Sequence, residues 1–252
     1  MKLAWFQKPA GSKFHFVNDY RRHVRRLMRK YPLDKAMSMA VGGSFRYLGR
    51  LERELLIAVG LKPEHYLIDV GCGSGRLAQE LRDYLTGNYM GTDVVPELLE
   101  YASRGTPAHW RFKLVDGLNI PERSGVADMV CFFSVFTHIL HEESFYYLRE
   151  AKRVLKPGGR IVISFLDISQ PSHWTIFENM SKAPAKLPHL NMYLSADMIQ
   201  AWCRHLELEL ERIQGGDTPW FPLSEPVYSD EDGAVQQGMG TLGQSVAVLR
   251  KP

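Results

Sequence analysis

Residues 66–81 read YLIDVGCGSGRLAQEL. An apolar run closes on Asp69, glycines follow at the alternate positions Gly71, Gly73 and Gly75, and a helical pattern begins at Arg76. Glycine admits positive φ and lacks the Cβ that would hold a ligand off the main chain. A strand, a glycine turn and a helix start in this order therefore predict a nucleotide-like ligand against bare backbone, beyond the carboxyl end of a strand. A dinucleotide site would carry G-x-G-x-x-G and seat a pyrophosphate on the helix N-terminus. Here Arg76 stands where the third glycine belongs, so that fingerprint fails. A second landmark is Asp93, which closes the next apolar run twenty-four positions after Asp69. A carboxylate there can accept both hydroxyls of a ribose. A third acid, Asp116, closes the third run on the side where adenine would lie, with a cap or turn role as its alternative.

Strand and helix signals alternate outward from this unit. YLIDV, NYMGTDV, HWRFKLVD, ADMVCFFSVF and RIVISFL read as strands, the fourth apolar throughout, as a strand covered on both faces should be. Between them GRLAQELRDYL, PELLEYASRG and HEESFYYLREAKRVLKPGG read as helices, the second opened by Pro96 and closed by Gly105, the third stopped by Pro157 and the glycine pair. SADMIQAWCRH is a later helix with a serine cap, and LELELERIQ and QSVAVLRK are two late strands with no helix between them. The predicted class is α/β: a Rossmann-like, seven-stranded, mostly parallel sheet with helices on both faces and its last strand antiparallel. An N-terminal helical extension over 1–58 precedes a main domain over 59–252. Two proline- and aromatic-rich stretches, 167–193 and 215–243, are too long for plain connections and are expected to be substrate loops.

The chain has 252 residues, 45% hydrophobic and 23% charged, with no apolar run near the roughly 20 residues of a membrane span. MKLAWFQKPAGSKF lacks the apolar stretch of a secretory signal. Cys72, Cys131 and Cys203 are scattered without metal-like spacing and are expected to be reduced, which fits a cytoplasmic protein. The net charge of +3 hides an asymmetry: residues 1–54 carry thirteen Lys/Arg against four Asp/Glu, and the remainder is net acidic. The cluster RRHVRRLMRK, 21–30, is either a solvated helix face packed through Val24, Leu27 and Met28, or a docking surface for nucleic acid, an acyl carrier or an anionic membrane.

The chain resembles the class I S-adenosylmethionine-dependent methyltransferases, in particular small-molecule members of the type 11/12 kind. LIDVGCGSGRLA resembles their first motif, YMGTDVVPELLEYA their ribose-acid segment and FKLVDG their adenine-side segment. ADMVCFFSVFTHI and YLREAKRVLKPGGRIVISF resemble the fourth strand, next helix and fifth strand. The resemblance implies S-adenosylmethionine as cofactor and assigns roles. Asp69 would hold loop amides or the methionine ammonium. Gly71 and Gly73, with Cys72 and Gly75 in the same loop, would lie along the methionine and ribose. Asp93 would bind the ribose hydroxyls, Val94 would pack on adenine, and Asp116 would accept from the adenine amine with Gly117 beside it. Ser134 would line the methyl region. Arg50 or Arg46, in a helix before the loop, would meet the methionine carboxylate.

Methyl transfer from a sulfonium requires alignment of a nucleophile and, for a hydroxyl, removal of its proton. SVFTHIL stands where amine-methylating nucleic-acid enzymes carry an Asn/Asp-Pro-Pro-aromatic run, which argues against base methylation. His138 is the leading candidate base, with a pocket-shaping role as its alternative; His141 and His173 are further candidates. Tyr193, Trp220, Phe221 and Tyr228 could form an aromatic pocket or a folded-lid core. No carboxylate–histidine cluster calls for a divalent metal. The expected function is O-methylation of a small acceptor such as a sugar, polyketide or other metabolite. The alternatives are a protein or RNA acceptor docked by the basic N-terminus, and a cofactor-binding protein without turnover. Oligomeric state is left open.

Overall fold

The computed structural model describes residues 17–182, 190–229 and 231–252. The start of the chain, read above as lacking a secretory signal, lies outside the described residues, as do the 183–189 part of the first long loop and residue 230 in the second.

Three helices come first: α1 (Val17–Lys30), α2 (Leu33–Ala40) and α3 (Phe45–Ala58). An alternating run follows: β1 (Leu67–Val70), α4 (Arg76–Leu81), β2 (Tyr89–Asp93), α5 (Pro96–Ala102), β3 (Arg111–Leu114), β4 (Ala127–Phe132), α6 (His141–Val154) and β5 (Leu155–Asp167). The chain then adds α7 (Pro171–Ser181), β6 (Tyr193–Leu194), α8 (Ala196–Leu206) and β7 (Glu209–Gln214), and ends on β12 (Ser245–Arg250) after four two-residue strands. The sheet order is β3-β2-β1-β4-β5-β12-β7, with β6 beside β5. Strands β1 to β5 pair in parallel, whereas β12 runs antiparallel to both its neighbours. The sheet grows from β1 through β2 to β3 and then returns to add β4 on the other side of β1. A crevice opens at such a reversal, beyond the carboxyl ends of the strands. The strand beyond the expected seven is β6, too short to leave a pattern.

Successive residues of the central strands alternate between two cores, as the two-residue period of a strand requires. Ile68, Val130, Phe132, Ile161 and Ile163 face one cluster with α1, α2, α5, α6 and α8, while Leu67, Met129, Cys131 and Val162 face another with α3 and α4. Burial on both faces is why these strands read as unbroken apolar runs. Truncating a side chain such as Phe132, which is fully buried, to alanine should cost about 3–5 kcal/mol.

Four details differ from the sequence expectation. Helix α6 ends at Val154, because Leu155 already pairs with Ala127 and the residue before Pro157 avoids helical backbone. The stretch 167–193 contains α7, opened by Pro171 at its first turn. That helix buries only His173, so it has no apolar stripe to read. The stretch 215–243 folds as β8 (Phe221–Pro222), β9 (Val227–Tyr228), β10 (Val235–Gln236) and β11 (Met239–Gly240), paired as two small sheets. Lastly, Val24 and Leu27 anchor α1, but Met28 is exposed. Among the described residues no helix is long and apolar enough to cross a membrane.

Candidate functional site

A cleft of about 980 Å³ opens at the β1/β4 reversal. Gly71, Cys72 and Gly73 line its floor; Gly71, Gly73 and Gly75 all have positive φ, but Gly75 lies outside the lining, where a Cβ would come within 2.7 Å of Ala102 of α5. The loop is tighter than a ligand alone demands. A Cβ on Gly71 would lie 2.5 Å from Val135 Cγ2, and one on Gly73 would lie 2.5 Å from Val41 Cγ1. The bare backbone is thus also required by the protein's own side chains, packed down on the loop from β4 and from the α2–α3 connection. Cys72 lies between these glycines, is buried and free, and lines the cleft.

Two buried carboxylates flank the loop. Asp93, the last residue of β2, takes the Gly73 N–H on Oδ2 at 3.0 Å and the Val95 N–H on Oδ1 at 2.9 Å. Burial pushes its pKa up to about 6, with the amide bonds pulling it back down. Asp69, in β1, accepts from the Tyr89 hydroxyl at 2.7 Å and from the Cys131 thiol at 3.6 Å. Its pKa rises to about 7 through burial, opposed by the Tyr89 bond and reinforced by the nearby Glu52. Its donors are therefore side chains; the loop amides named as possible partners turn instead to Asp93 and to the Thr92 carbonyl.

The cleft wall holds a pair that the sequence does not advertise. Arg76 Nη2 lies 2.5 Å from Glu52 Oε1, and Arg76 Nη1 donates to the Val41 carbonyl at 3.2 Å. Glu52 is 1% exposed, and burial raises its pKa while Arg76 lowers it. Arg50, one helical step away, faces elsewhere: it pairs with Glu80 and Glu225, each at 3.5 Å, and is not part of the cleft lining. Tyr20 and His23 of α1 and Met39 to Gly42 complete this wall. Tyr20 donates to the Ala40 carbonyl at 3.1 Å, which ties α1 to α2 above the cleft. Val94 and Val115 supply an apolar side; Asp116 and Gly117 follow Val115 but lie outside the lining, and Asp116 is exposed.

The opposite side is built from the end of β4 and from distant segments. Ser134 has φ of 58°. Its amide donates to Ser164 Oγ at 2.8 Å, its carbonyl accepts from Thr137 Oγ1 at 2.7 Å, and its hydroxyl receives the Gln244 amide at 3.1 Å. His138 lines the cleft with Nδ1 2.8 Å from the Leu190 carbonyl. A carbonyl only accepts, so Nδ1 carries the hydrogen and the lone pair of the neutral ring sits on Nε2. The other two histidines lie elsewhere. His141 Nε2 meets the Tyr193 carbonyl at 3.0 Å. His173 is 1% exposed; its Nδ1 accepts from the Asp167 amide at 2.9 Å and its Nε2 donates to the Gly243 carbonyl at 2.9 Å. Both of its nitrogens are used by backbone, so His173 pins β5 to the approach of β12. The four aromatics do not converge on the cleft either: Phe221 is core, Trp220 sits under Arg212, Tyr228 is exposed and Tyr193 packs on Phe177.

A family model described as a methyltransferase domain matches residues 68–163, the span from β1 to β5. The ubiquinone biosynthesis O-methyltransferase of Xanthomonas oryzae pv. oryzae is 26% identical over 158 residues, 59% of this chain and 64% of that protein. The chain thus spans less than two thirds of the length of this relative. Two solved structures share the fold. A Thermotoga maritima S-adenosylmethionine-dependent methyltransferase, described as a possible histamine N-methyltransferase, is 19% identical with a TM-score of 0.60, covering 94% of this chain and all of that one. The magnesium protoporphyrin IX methyltransferase of Synechocystis PCC 6803, solved with bound S-adenosylhomocysteine, is 12% identical with a TM-score of 0.63, covering 94% of this chain and 98% of that one.

Proposed function

We propose, from the premise that this chain belongs to the class I S-adenosylmethionine-dependent methyltransferases, that it methylates a hydroxyl of a small organic acceptor. S-adenosylmethionine is the cofactor of that family, and the residues present fit it. Asp69 and Asp93 are buried acids held by neutral donors and pushed up by burial, a state that ribose hydroxyls and an ammonium would relieve. In this reading Asp93 takes the ribose hydroxyls, Val94 and Val115 flank the adenine, and Asp69 with the Glu52–Arg76 pair holds the zwitterionic amino-acid end. When bound, the cofactor supplies an electrophilic methyl on sulfur, so the acceptor oxygen bonds to carbon as the carbon–sulfur bond breaks and a neutral thioether leaves.

The chain's own residues do the rest. His138 Nε2 takes the hydroxyl proton, a role worth about 10²- to 10⁴-fold in rate. The Leu190 carbonyl fixes the ring in the tautomer this needs. Tyr20, Met39 and Val41 on one side, and Ile139, Ile176 and Leu190 on the other, give the cleft apolar walls that limit water around the nucleophile. The observation that carries the proposal is the meeting, in one cleft, of the glycine loop, two buried acids and a histidine of defined tautomer. Calorimetry with S-adenosylhomocysteine should show saturable binding, and mass spectrometry should detect transfer from S-adenosylmethionine to hydroxyl compounds in a mixed panel of phenols, sugars and amines. Absence of binding, or transfer to amines alone, would overturn it.

One observation favours a second reading, a polyanionic acceptor. Arg22, Arg25, Arg26 and Arg29 are exposed on α1, the helix whose Tyr20 and His23 line the cleft. Arg25 also pairs with Glu97 at 2.6 Å, so the reading rests on the excess of positive charge along this face, which an anionic acceptor would complement. Binding of an RNA would then weaken steeply between low and moderate salt.

A further inference from the structure

Resting on the reading above, we infer that Asn191 determines which acceptor the cleft takes. Its carboxamide oxygen accepts a hydrogen bond from a donor group, a hydroxyl or N–H, that the acceptor carries besides the hydroxyl it offers for methylation.

The backbone on either side of Asn191 is tied down. Leu190 before it presents its carbonyl to His138 Nδ1 at 2.8 Å, and Met192 after it donates its N–H to the Thr137 carbonyl at 2.8 Å. Tyr193 adds a third tie, its carbonyl 3.0 Å from His141 Nε2, and pairs with Leu166 of β5. Consecutive Cα atoms are about 3.8 Å apart. Asn191 is therefore one residue from each bond to the turn that follows β4, and it lines the cleft itself.

A methionine sets the direction of the carboxamide. Asn191 Nδ2 lies 3.0 Å from the sulfur of Met180 in α7. A thioether has no hydrogen to give, so the branch that faces it is the NH₂ group and the other branch is the oxygen. The Tyr193 hydroxyl approaches the same sulfur at 3.8 Å. Met180 stands outside the cleft lining, so the nitrogen is drawn toward α7. Among the described residues no donor meets Asn191 Oδ1.

The wall around this residue is apolar, with Ile139, Ile176 and Leu190 beside it in the lining. A polar atom in such a wall is costly unless a partner meets it. Binding pockets use a few polar atoms in otherwise apolar walls to orient what they hold. An amide oxygen only accepts, so it is matched by a hydroxyl or N–H. An ether oxygen in the same place would set lone pair against lone pair.

The test uses three phenols with a hydroxymethyl arm at the 2, 3 or 4 position, and the same three with a methoxymethyl arm. Each is titrated by calorimetry into the protein saturated with S-adenosylhomocysteine. The flexible arm samples the wall, and methylating it removes its donor. For at least one position the hydroxymethyl compound should bind about three- to tenfold more tightly, the size of one net hydrogen bond. In Asn191→Leu, similar in size and without a polar atom, that preference should vanish. Asn191→Asp keeps an acceptor oxygen and should retain it, which supplies a second check where the leucine variant does not fold. A merely structural role would weaken both members of a pair alike. Equal affinity within all three pairs, binding of none of the six phenols, a preference that survives Asn191→Leu, or one lost in Asn191→Asp overturns the inference. If wild-type protein also fails to bind S-adenosylhomocysteine, the parent proposal falls; if it binds that ligand but treats the members of every pair alike, this inference falls alone.

Discussion

The two halves of the cleft are assembled over different distances along the chain. In the glycine-loop half the hydrogen bonds that set the geometry, Gly73 to Asp93 and Tyr89 to Asp69, each span 20 positions. In the histidine half, His138 reaches Leu190 across 52 positions and Gln244 reaches Ser134 across 110. The centre of the first half, β1–α4–β2, is one βαβ unit, so turn chemistry and strand periodicity largely specify it, while α1 to α3 close it from outside. The second exists only once loops from the far end of the chain have docked. Chemistry common to a whole family can be written into the first; what distinguishes one acceptor from another belongs to the second.

Substitutions can test whether this division is functional. The largest effect is expected from His138→Gln, which should lower transfer about 10²- to 10⁴-fold while leaving S-adenosylhomocysteine affinity unchanged in calorimetry. A parallel loss of affinity would erase the distinction between the halves. Asp93→Asn should do the reverse, weakening S-adenosylhomocysteine about 10- to 100-fold through the loss of bonds to a charged acceptor. Unchanged affinity would remove the ribose role from this acid. The smallest effect is a pH dependence confined to the glycine-loop half. Asp93 titrates near 6 and Asp69 near 7, both above the ordinary carboxylate value of 3.8. Between those limits the folded protein keeps protons that the unfolded chain has released, so the ligand-free protein loses stability as pH rises through this window. A ligand that needs the charged acids binds better over the same rise. The gap in melting temperature between loaded and ligand-free protein should therefore widen from about pH 5 to about pH 7.5, and a constant gap would break the link.

Much of the glycine-loop half was legible. The strands around it are buried on both faces, so their apolar runs stand out, and Asp69 and Asp93 fall at the strand ends where the topology opens a crevice. Arg76 and Glu52 were not legible as a pair. Arg76 reads only as a missing glycine, and Glu52 only as one acid on a charged helix. They meet because α3 lies close on α4, an approach that Gly49 permits: a Cβ there would be 2.6 Å from the Arg76 carbonyl. The same packing turns Arg50 away from the cleft. In the histidine half, Gln244 looks like the first residue of a strand, and Ser164 like one polar residue in RIVISFL. His173 drew notice for its place in a long loop beside Trp174, yet tertiary structure made it a buried brace. Side chains with alternative polar partners cannot be assigned before those partners are known.

Cys72 carries a last consequence. It is an uncharged thiol, its pKa raised by burial, set between two glycines whose neighbours Val41 and Val135 press down on the loop. Its sulfur lies against Gly91 of β2, where a Cβ would come within 2.7 Å of it, so the thiol reacts when the loop lifts from that strand. Its rate of alkylation would therefore serve as a stopwatch for loop breathing, and an occupant of the cleft should slow the hand.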